Sequence, residues 1–436
     1  MWARERRQDR AVTTREQNSF LAQTGPGTPV GNLVRRYWIP ALLSSEIAAP
    51  DCPPVRVKLL GERLIAFRDS LGRVGVMDEF CAHRGVSLWF GRNEENGLRC
   101  PYHGWKYDVT GQCIEVPSEP LESGFCNKIK LAAYDCIERG DVIWVYMGPP
   151  HQKPPLPNFE WTTVPASHRF VSKRTQECNW LQALEGGIDS VHVSFLHRHD
   201  LRSDPLHVSQ GAEFTRETGA RFEVLETAGG MVIGVRRPAA ARQLYWRITQ
   251  WVMPFHTMIP PYGDNALNGH AFVPIDDANC MVWCFTHHPT RPLSAHELAT
   301  MRAGGGIHVQ LLPGSFRPVV NKDNDYMIDR VAQKHHKSYS GIKGIAMQDA
   351  AIQESCGPIQ DRSKENLVST DNAVIMARAR LRKAALAVAQ GGAPDGLDPA
   401  THAVRSAAIV LPEEANFYQA AADALVVREG IAHASV

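Results

Sequence analysis

Short runs of alternating apolar and polar residues dominate the stretch from Val55 to Phe80. VRVKLL (Val55–Leu60) and ERLIAFRD (Glu62–Asp69) carry β-branched and aromatic side chains in rough alternation, the two-residue period of a strand with one face buried. Ser70-Leu71-Gly72-Arg73 supplies a turn into a third run, RVGVMDEF. VIWVYM (Val142–Met147) is apolar throughout and of strand length, as expected of a buried strand. GPPHQKPPLP (Gly148–Pro157) then places five prolines in ten residues, which neither a helix nor a central strand accommodates. The pattern predicts an all-β unit over residues 40–150, ended by this linker.

Beyond the linker the pattern is mixed. Trp180–Leu196 reads as a helix, and Phe222–Val235, Gln243–Met253 and Met281–His287 read as strands. From Glu365 to Gln390 the chain reads as one helix stopped by Gly391-Gly392, and Glu413–Glu429 reads as a last amphipathic helix. Residues 151–436 are therefore expected to form an α+β unit with helices gathered at its C-terminal end.

Composition adds exclusions. The 436 residues are 44% hydrophobic and 21% charged, enough for two cores or three. Lys and Arg total 47 against 46 Asp and Glu, so no basic excess points to nucleic acid or an anionic membrane. No run of about 18 apolar residues predicts a membrane span. The polar first twenty residues lack the apolar stretch of a signal peptide. Ten cysteines spread from Cys52 to Cys356 show no disulfide-scaffold pattern, so reduced thiols in the cytoplasm are expected.

Two of those cysteines stand apart. CAHRGVSLWFGRNEENGLRCPYH holds Cys81-x-His83 and Cys100-x2-His103, with sixteen residues between the pairs. Two thiolates and two imidazoles suit a tetrahedral zinc ion or a [2Fe–2S] cluster with cysteines on one iron and histidines on the other. Each pair being one Cys and one His favours the cluster. So do Gly85 and Gly104, placed where a loop must turn closely around a metal, and Trp105 and Tyr107, which can shield it.

A second constellation follows in NWLQALEGGIDSVHVSFLHRHD, which contains Asp189-x2-His192-x4-His197. On one helix Glu185, Asp189 and His192 share a face, while His197 falls about 140° away. The imidazoles can converge on one metal only if the helix ends or distorts. Gly186-Gly187 weakens it by about 1 kcal/mol per residue relative to Ala, which implies flexible backbone or a close neighbour. Two histidines and a carboxylate form the facial triad of non-haem Fe(II) oxygenases. His199 competes with His197 on spacing, and a distant carboxylate is needed from Asp349, Glu354, Asp361 or Asp371. Asp361-Arg362 reads as a structural ion pair.

CAHRG and CPYHGWKYDVTG resemble the Rieske protein family, and EGGIDSVHVSFLH resembles the iron-binding segment of Rieske aromatic-ring oxygenases of the phthalate dioxygenase-like group. A simple Rieske ferredoxin would leave about 280 residues unexplained. The resemblance runs from GTPVGNLVRRYWIPALL to the C-terminal helices. It implies a segment, residues 1–39, packed on the catalytic domain, a Rieske domain over 40–150, and a helix-grip-like catalytic domain over 151–436 with an antiparallel sheet. It implies Cys81, His83, Cys100 and His103 as cluster ligands and His192, His197 and Asp349 as mononuclear iron ligands. Asp189 would bridge the two centres. It further implies a homotrimer or a multiple of one, and a reductase, with or without a ferredoxin, passing electrons from NAD(P)H for reaction with O₂.

An aromatic acid substrate would need cationic anchors. Arg221, Arg236, Arg237 and Arg247 lie in the expected sheet, and Arg247 and Arg221 are the candidate substrate contacts. The alternative for each is an ion pair within the protein. Cis-dihydroxylation and monooxygenation, such as O-demethylation of a methoxylated acid or cleavage of a diaryl ether, use the same metal sites. A non-catalytic iron–sulfur carrier would have the cluster and no second iron.

Overall fold

The computed structural model describes residues 13–207, 214–215, 219–239, 241–261, 263–428 and 430. In the N-terminal part, six strands form one antiparallel sheet: β1 (Trp38–Leu43), β2 (Val55–Leu59), β3 (Glu62–Arg68), β4 (Val74–Asp78), β9 (Ala133–Arg139) and β10 (Val142–Tyr146). Their order is β1-β10-β9-β4-β3-β2. β10 lies between two neighbours and is buried along its whole length, which is why its sequence lacks alternation. β2 sits at the edge, and its side chains alternate between half-buried and exposed up to Leu59. A small second sheet, β5 (Arg92–Glu94), β6 (Gly97–Arg99), β7 (Lys106–Tyr107) and β8 (Cys113–Glu115), is inserted between β4 and β9. The linker Gly148–Pro157 holds no strand and only a single turn, Pro150–Gln152, of 3₁₀ helix.

The larger part is built on an antiparallel sheet of eight strands among the described residues. They are β11 (Arg169–Gln176), β12 (Arg221–Glu226), β13 (Gly230–Pro238), β14 (Gln243–Val252), β15 (His256–Ile259), β16 (Leu267–Pro274), β17 (Cys280–His287) and β18 (Ala407–Pro412). The order is β11-β17-β16-β15-β14-β13-β12, and β18 pairs with the N-terminal half of β14. The helix Trp180–Ile188 packs on this sheet, with Trp180, Leu181 and Leu184 in a core shared with Trp144 and Trp161. The helix Asn372–Ala389 adds Ala377, Leu381 and Ala385 to the same core. Sheet and C-terminal helices together give the expected α+β class. The described N-terminal segment is tied down by distant partners: Asn18 bonds the Gln360 carbonyl and Arg362, and the Tyr37 hydroxyl donates to the Asp395 carbonyl.

Four expected elements differ. The helix expected to reach Leu196 ends at Ile188, because Asp189 is extended (φ −77°, ψ 131°) and its carboxylate accepts the amide of Val191. That local bond competes with helical continuation, so Asp189 and His192 are not on a helix face with Glu185. The strand expected over Phe222–Val235 is a hairpin, β12 and β13, in which Thr227 and Gly230 bond across the turn. The helix expected from Glu365 starts at Asn372, since Glu365 is drawn away to the Arg378 guanidinium. The helix expected over Glu413–Glu429 is one turn, Phe417–Ala420; Glu429 lies outside the described residues. Its helical spacing is real, for Phe417, Ala421 and Leu425 are all buried in one cluster. The Leu425 carbonyl and Val427 amide, however, bond the backbone of Arg405 and Ala403, which diverts the chain into a bridge.

Candidate metal centres

Two loops of the N-terminal domain carry the Cys/His pairs. One follows β4 and the other joins β6 to β7, and they share one backbone plan. The amide of each cysteine bonds the carbonyl five residues ahead, Cys81 to Val86 and Cys100 to Trp105. The cysteine carbonyl accepts from the glycine four residues ahead, and both glycines have positive φ, 70° at Gly85 and 75° at Gly104. A side chain at either would be strained. Cys81 and Cys100 are buried, while His83 and His103 reach the surface with ring centroids 4.4 Å apart. Burial, with Cys81 beside it, pushes the Cys100 thiol up. Two crowded sulfurs inside and two imidazoles outside are a donor set that fits a two-iron cluster with one iron nearer solvent. Trp105 stacks on His83 at 4.6 Å, and the buried Tyr107 hydroxyl lies 3.2 Å from Cys81 Sγ.

The second centre forms where the Trp180–Ile188 helix stops. A 3₁₀ turn, His192–Ser194, follows Asp189, so the chain reverses and brings His197 back beside His192. The helix Ile345–Ser355 supplies Asp349. The Asp349 carboxylate lies 3.4 Å from His192 Nε2 and 3.2 Å from His197 Nε2, and one ligand atom from each of the three residues lies within 4.8 Å of the others. This is a two-histidine, one-carboxylate set facing a cavity, and it fits a divalent iron with open positions. Burial would raise the Asp349 carboxyl, but His197 and His192 outweigh it and hold it at about 2. Asp189 Oδ2 lies 3.2 Å from His192 Nδ1. The carboxylate therefore fixes the imidazole proton on Nδ1 and leaves Nε2 for a metal.

The remaining candidates separate cleanly. Arg247, on β14, is buried and lines the cavity. Arg221, the other expected substrate contact, is exposed on the edge strand β12 and is not among the cavity's lining residues. Arg236 faces Glu223, whereas Arg237 is buried and donates to the Ser190 carbonyl (2.7 Å) and Ser194 Oγ (3.1 Å), clamping the turn that carries His192. His199 is outside the triad. Glu354 accepts from the Glu177 amide and the Tyr326 hydroxyl, and Asp371 from the Val368 amide. Asp361 bonds Ser363 and Lys364, not Arg362; the Arg362 guanidinium goes to Glu185 instead (3.2 Å).

Three residues at the site escaped sequence reasoning: Gln348, Gln353 and Arg174, the last of which lines the cavity from β11. Gln348 is fully buried, with Oε1 2.7 Å from His197 Nδ1. Gln353 receives a 2.6 Å bond from Gln176 and lies against Gly186, where a Cβ would come within 2.1 Å of its Nε2. The only signal for Gln348 and Gln353 was their spacing around Asp349 on one helix.

Paired Cys/His loops on an all-β domain, joined to a sheet domain with a His₂–carboxylate pocket, define a Rieske-type protein with two metal centres. Residues 37–130 match the Rieske [2Fe-2S] domain family, and residues 145–428 match the family described as LigXa C-terminal domain like. The chain is 41% identical to the phthalate 4,5-dioxygenase oxygenase subunit of Pseudomonas putida, over 87% of this chain and 88% of the relative. It is 39% identical to the 3-chlorobenzoate-3,4-dioxygenase oxygenase subunit of Comamonas testosteroni, over 88% and 92%. The crystal structure of dicamba monooxygenase bound to dicamba shares the fold, with TM-score 0.58 at 18% identity over 82% of this chain and 99% of that one. The chain belongs to the Rieske non-haem iron oxygenases, as an oxygenase subunit with a [2Fe–2S] cluster and a mononuclear iron. Among the described residues no helix is long and apolar enough to cross a membrane.

Proposed function

We propose that this chain is the terminal oxygenase component that hydroxylates an aromatic carboxylate by cis-dihydroxylation. The observation that carries this reading is the convergence of His192, His197 and Asp349 on a cavity that also contains the buried Arg247. The two relatives named above act, by their names, on phthalate and 3-chlorobenzoate. Cys81, His83, Cys100 and His103 hold the cluster, and His192, His197 and Asp349 hold the iron. When bound, these groups supply electrons and O₂ activation.

The chain's own residues position and exclude. Phe272, Ile259 and Ile307 give the cavity apolar walls for a ring. Arg247, on the β14 wall, can take the substrate carboxylate through two parallel N–H bonds. Asp189 orients His192 with one carboxylate oxygen, and its side chain remains partly exposed. That exposed side suits an N–H from a Rieske histidine of a neighbouring subunit, so Asp189 would link the centres in a head-to-tail trimer. In keeping with this, the rings of His83 and His103 contact one another, Trp105 and Tyr102, and neither His192 nor His197. A reductase drawing on NAD(P)H, with or without a ferredoxin, would supply electrons, and the cytoplasm is the compartment in which all these parts meet.

The test is product analysis with isotopically labelled O₂, a surrogate reductase and a panel of aromatic acids. A cis-diol holding both labelled atoms is expected. Formaldehyde release would instead place the chain with O-demethylation, an activity carried in the name of the 5,5'-dehydrodivanillate relative, 29% identical. About two irons per chain, and no O₂ uptake with any acid, would leave only an electron carrier.

A further inference from the structure

Asp204 and His207 join two cavities. His207 lines the iron cavity, and Asp204 lines a second cavity of about 480 Å³. Both cavities are also lined by Ile345 and Ala346, in the first turn of the Ile345–Ser355 helix, which stands as a partition between them. Asp204 Oδ2 lies 3.4 Å from His207 Nδ1. The backbone fixes the carboxylate: Oδ1 accepts the Leu206 amide and Oδ2 the Gly306 amide, each at 2.9 Å. Burial would raise the Asp204 carboxyl, but His207 and these amides outweigh it and hold the group below its ordinary value. It is therefore a carboxylate at neutral pH, able to orient an imidazole and to take up a proton. The second cavity is polar, with Asp200, Thr300, His308, Gln310 and Lys343 also in its walls, and it has room for several waters.

Oxygenation consumes protons inside a site that burial shields from water. Dihydroxylation puts both oxygen atoms on the ring, and monooxygenation sends one to water. Either uses two electrons and two protons per O₂, as does unproductive reduction of O₂ to peroxide. The electrons arrive through the cluster, and the protons must cross the cavity wall. Among the described lining residues few can carry them. His192, His197 and Asp349 are committed to the metal, and Asp189 to His192. Arg174 and Arg247 do not give up a proton. His270 is held neutral by burial and by Arg174, at about 3, and its Nδ1 has no partner among the described residues, so no chain of donors leads to it. His207 is the remaining titratable side chain of the cavity. An imidazole can accept a proton on one nitrogen and release one from the other.

We propose that Asp204 and His207 form a proton relay from the second cavity to the iron cavity. One proton enters at the Asp204 carboxylate and one leaves from the His207 ring, so each passage restores the pair, and two passages serve one O₂. The relay rests on the oxygenase class and holds for dihydroxylation and monooxygenation alike. It lets protons reach the reaction while bulk water stays beyond the partition.

The test is reoxidation of dithionite-reduced holoenzyme by O₂ in the presence of phthalate, followed at the cluster absorbance in H₂O and in D₂O. His207→Gln should slow reoxidation by about 100-fold and enlarge the solvent isotope effect, because proton delivery becomes limiting. Its iron content should be unchanged, and its calorimetric affinity for phthalate should stay within about threefold of wild type. Asp204→Asn should slow the same step by about tenfold, with a similarly enlarged isotope effect. His207→Ala should recover part of its rate in millimolar imidazole, which restores a proton carrier without restoring the side chain. Wild-type rates in both His207→Gln and Asp204→Asn overturn the proposal. So does a loss that imidazole does not relieve, with an unchanged isotope effect, which is the pattern of a packing role. Should the His207 variants lack iron or cluster, Asp204→Asn decides alone. A wild type whose reoxidation phthalate does not accelerate sinks the aromatic-acid reading; the relay is then read from reoxidation without substrate, which takes up the same two protons.

Discussion

Gln348 holds His197 from behind. Gln348 Oε1 lies 2.7 Å from His197 Nδ1, while its Nε2 donates to Asp200 (2.6 Å) and to the Ile342 carbonyl (2.8 Å). A carboxylate and a carbonyl can only accept, so the amide nitrogen faces them and the amide oxygen must face the imidazole. His197 then carries its proton on Nδ1, and Nε2, 3.2 Å from Asp349, is left for a metal. His192 reaches the same tautomer by a different partner, the Asp189 carboxylate.

Gln348→Ala should therefore loosen the mononuclear iron by about 10- to 100-fold, the usual effect of removing a group that orients a metal-bound histidine. The cluster spectrum should not change. Competition with a chelator measures the iron affinity, and an unaltered value would show that His197 is oriented by packing alone.

Asp189→Asn keeps a hydrogen-bond acceptor for His192 but removes the charge. Both metals should remain bound, while turnover falls by about 10- to 100-fold or more. Metal analysis and O₂ uptake on the same preparation separate the two effects. Full activity would remove Asp189 from any coupling role.

Asp349→Ala should lower iron from about three per chain to about two, leaving the cluster spectrum intact. Neither Glu354 nor Asp361 is placed to substitute, since each is engaged elsewhere. Retention of the third iron would move the ligand away from Asp349.

Gly187→Ala brings a Cβ to 2.8 Å from the Phe272 ring, which is 4% exposed and cannot swing aside. Helix propensity alone would favour alanine by about 1 kcal/mol. The clash should win, with a net loss of about 1–3 kcal/mol by denaturant unfolding. A gain in stability would show that the ring moves freely.

Glu160 is buried against Arg405 (2.5 and 2.9 Å) and His287 (3.3 Å). Burial raises its carboxyl, but these partners outweigh it and hold the group at about 2, below its ordinary 4.5. A depressed carboxyl contributes stability that is full above the unfolded value and lost as pH falls toward the folded one. Stability should thus decline between about pH 5 and pH 2 in part through this group. Glu160→Gln should flatten that part of the acid profile and be less stable at neutral pH, as read from denaturation midpoints.

Much of this was legible from local pattern. The two cluster loops are complete within Cys81–Trp105, and their glycines mark the positive φ that each turn needs. The glycines before Asp189 correctly signalled close neighbours, yet nothing in the sequence names Gln353 and Phe272 as those neighbours. Two of the three helices expected too long failed for a shared reason. Apolar spacing was read as helix, while competing hydrogen bonds, from the Asp189 side chain in one case and the Arg405 backbone in the other, ended it.

By itself the sequence determined the strands of Val55–Asp78 and Val142–Tyr146 and both Cys/His loops, because these depend on bonds and burial within some twenty residues of chain. Resemblance named Asp349, but only the folded sheet and the helix above it set that carboxylate beside His192 and His197. Tertiary structure alone decided that Gln348 orients His197 across 151 positions, that Arg221 faces solvent, and that Arg174 faces the cavity. Strand periodicity says that a side chain alternates faces. Which face becomes a pocket is settled by what packs against it.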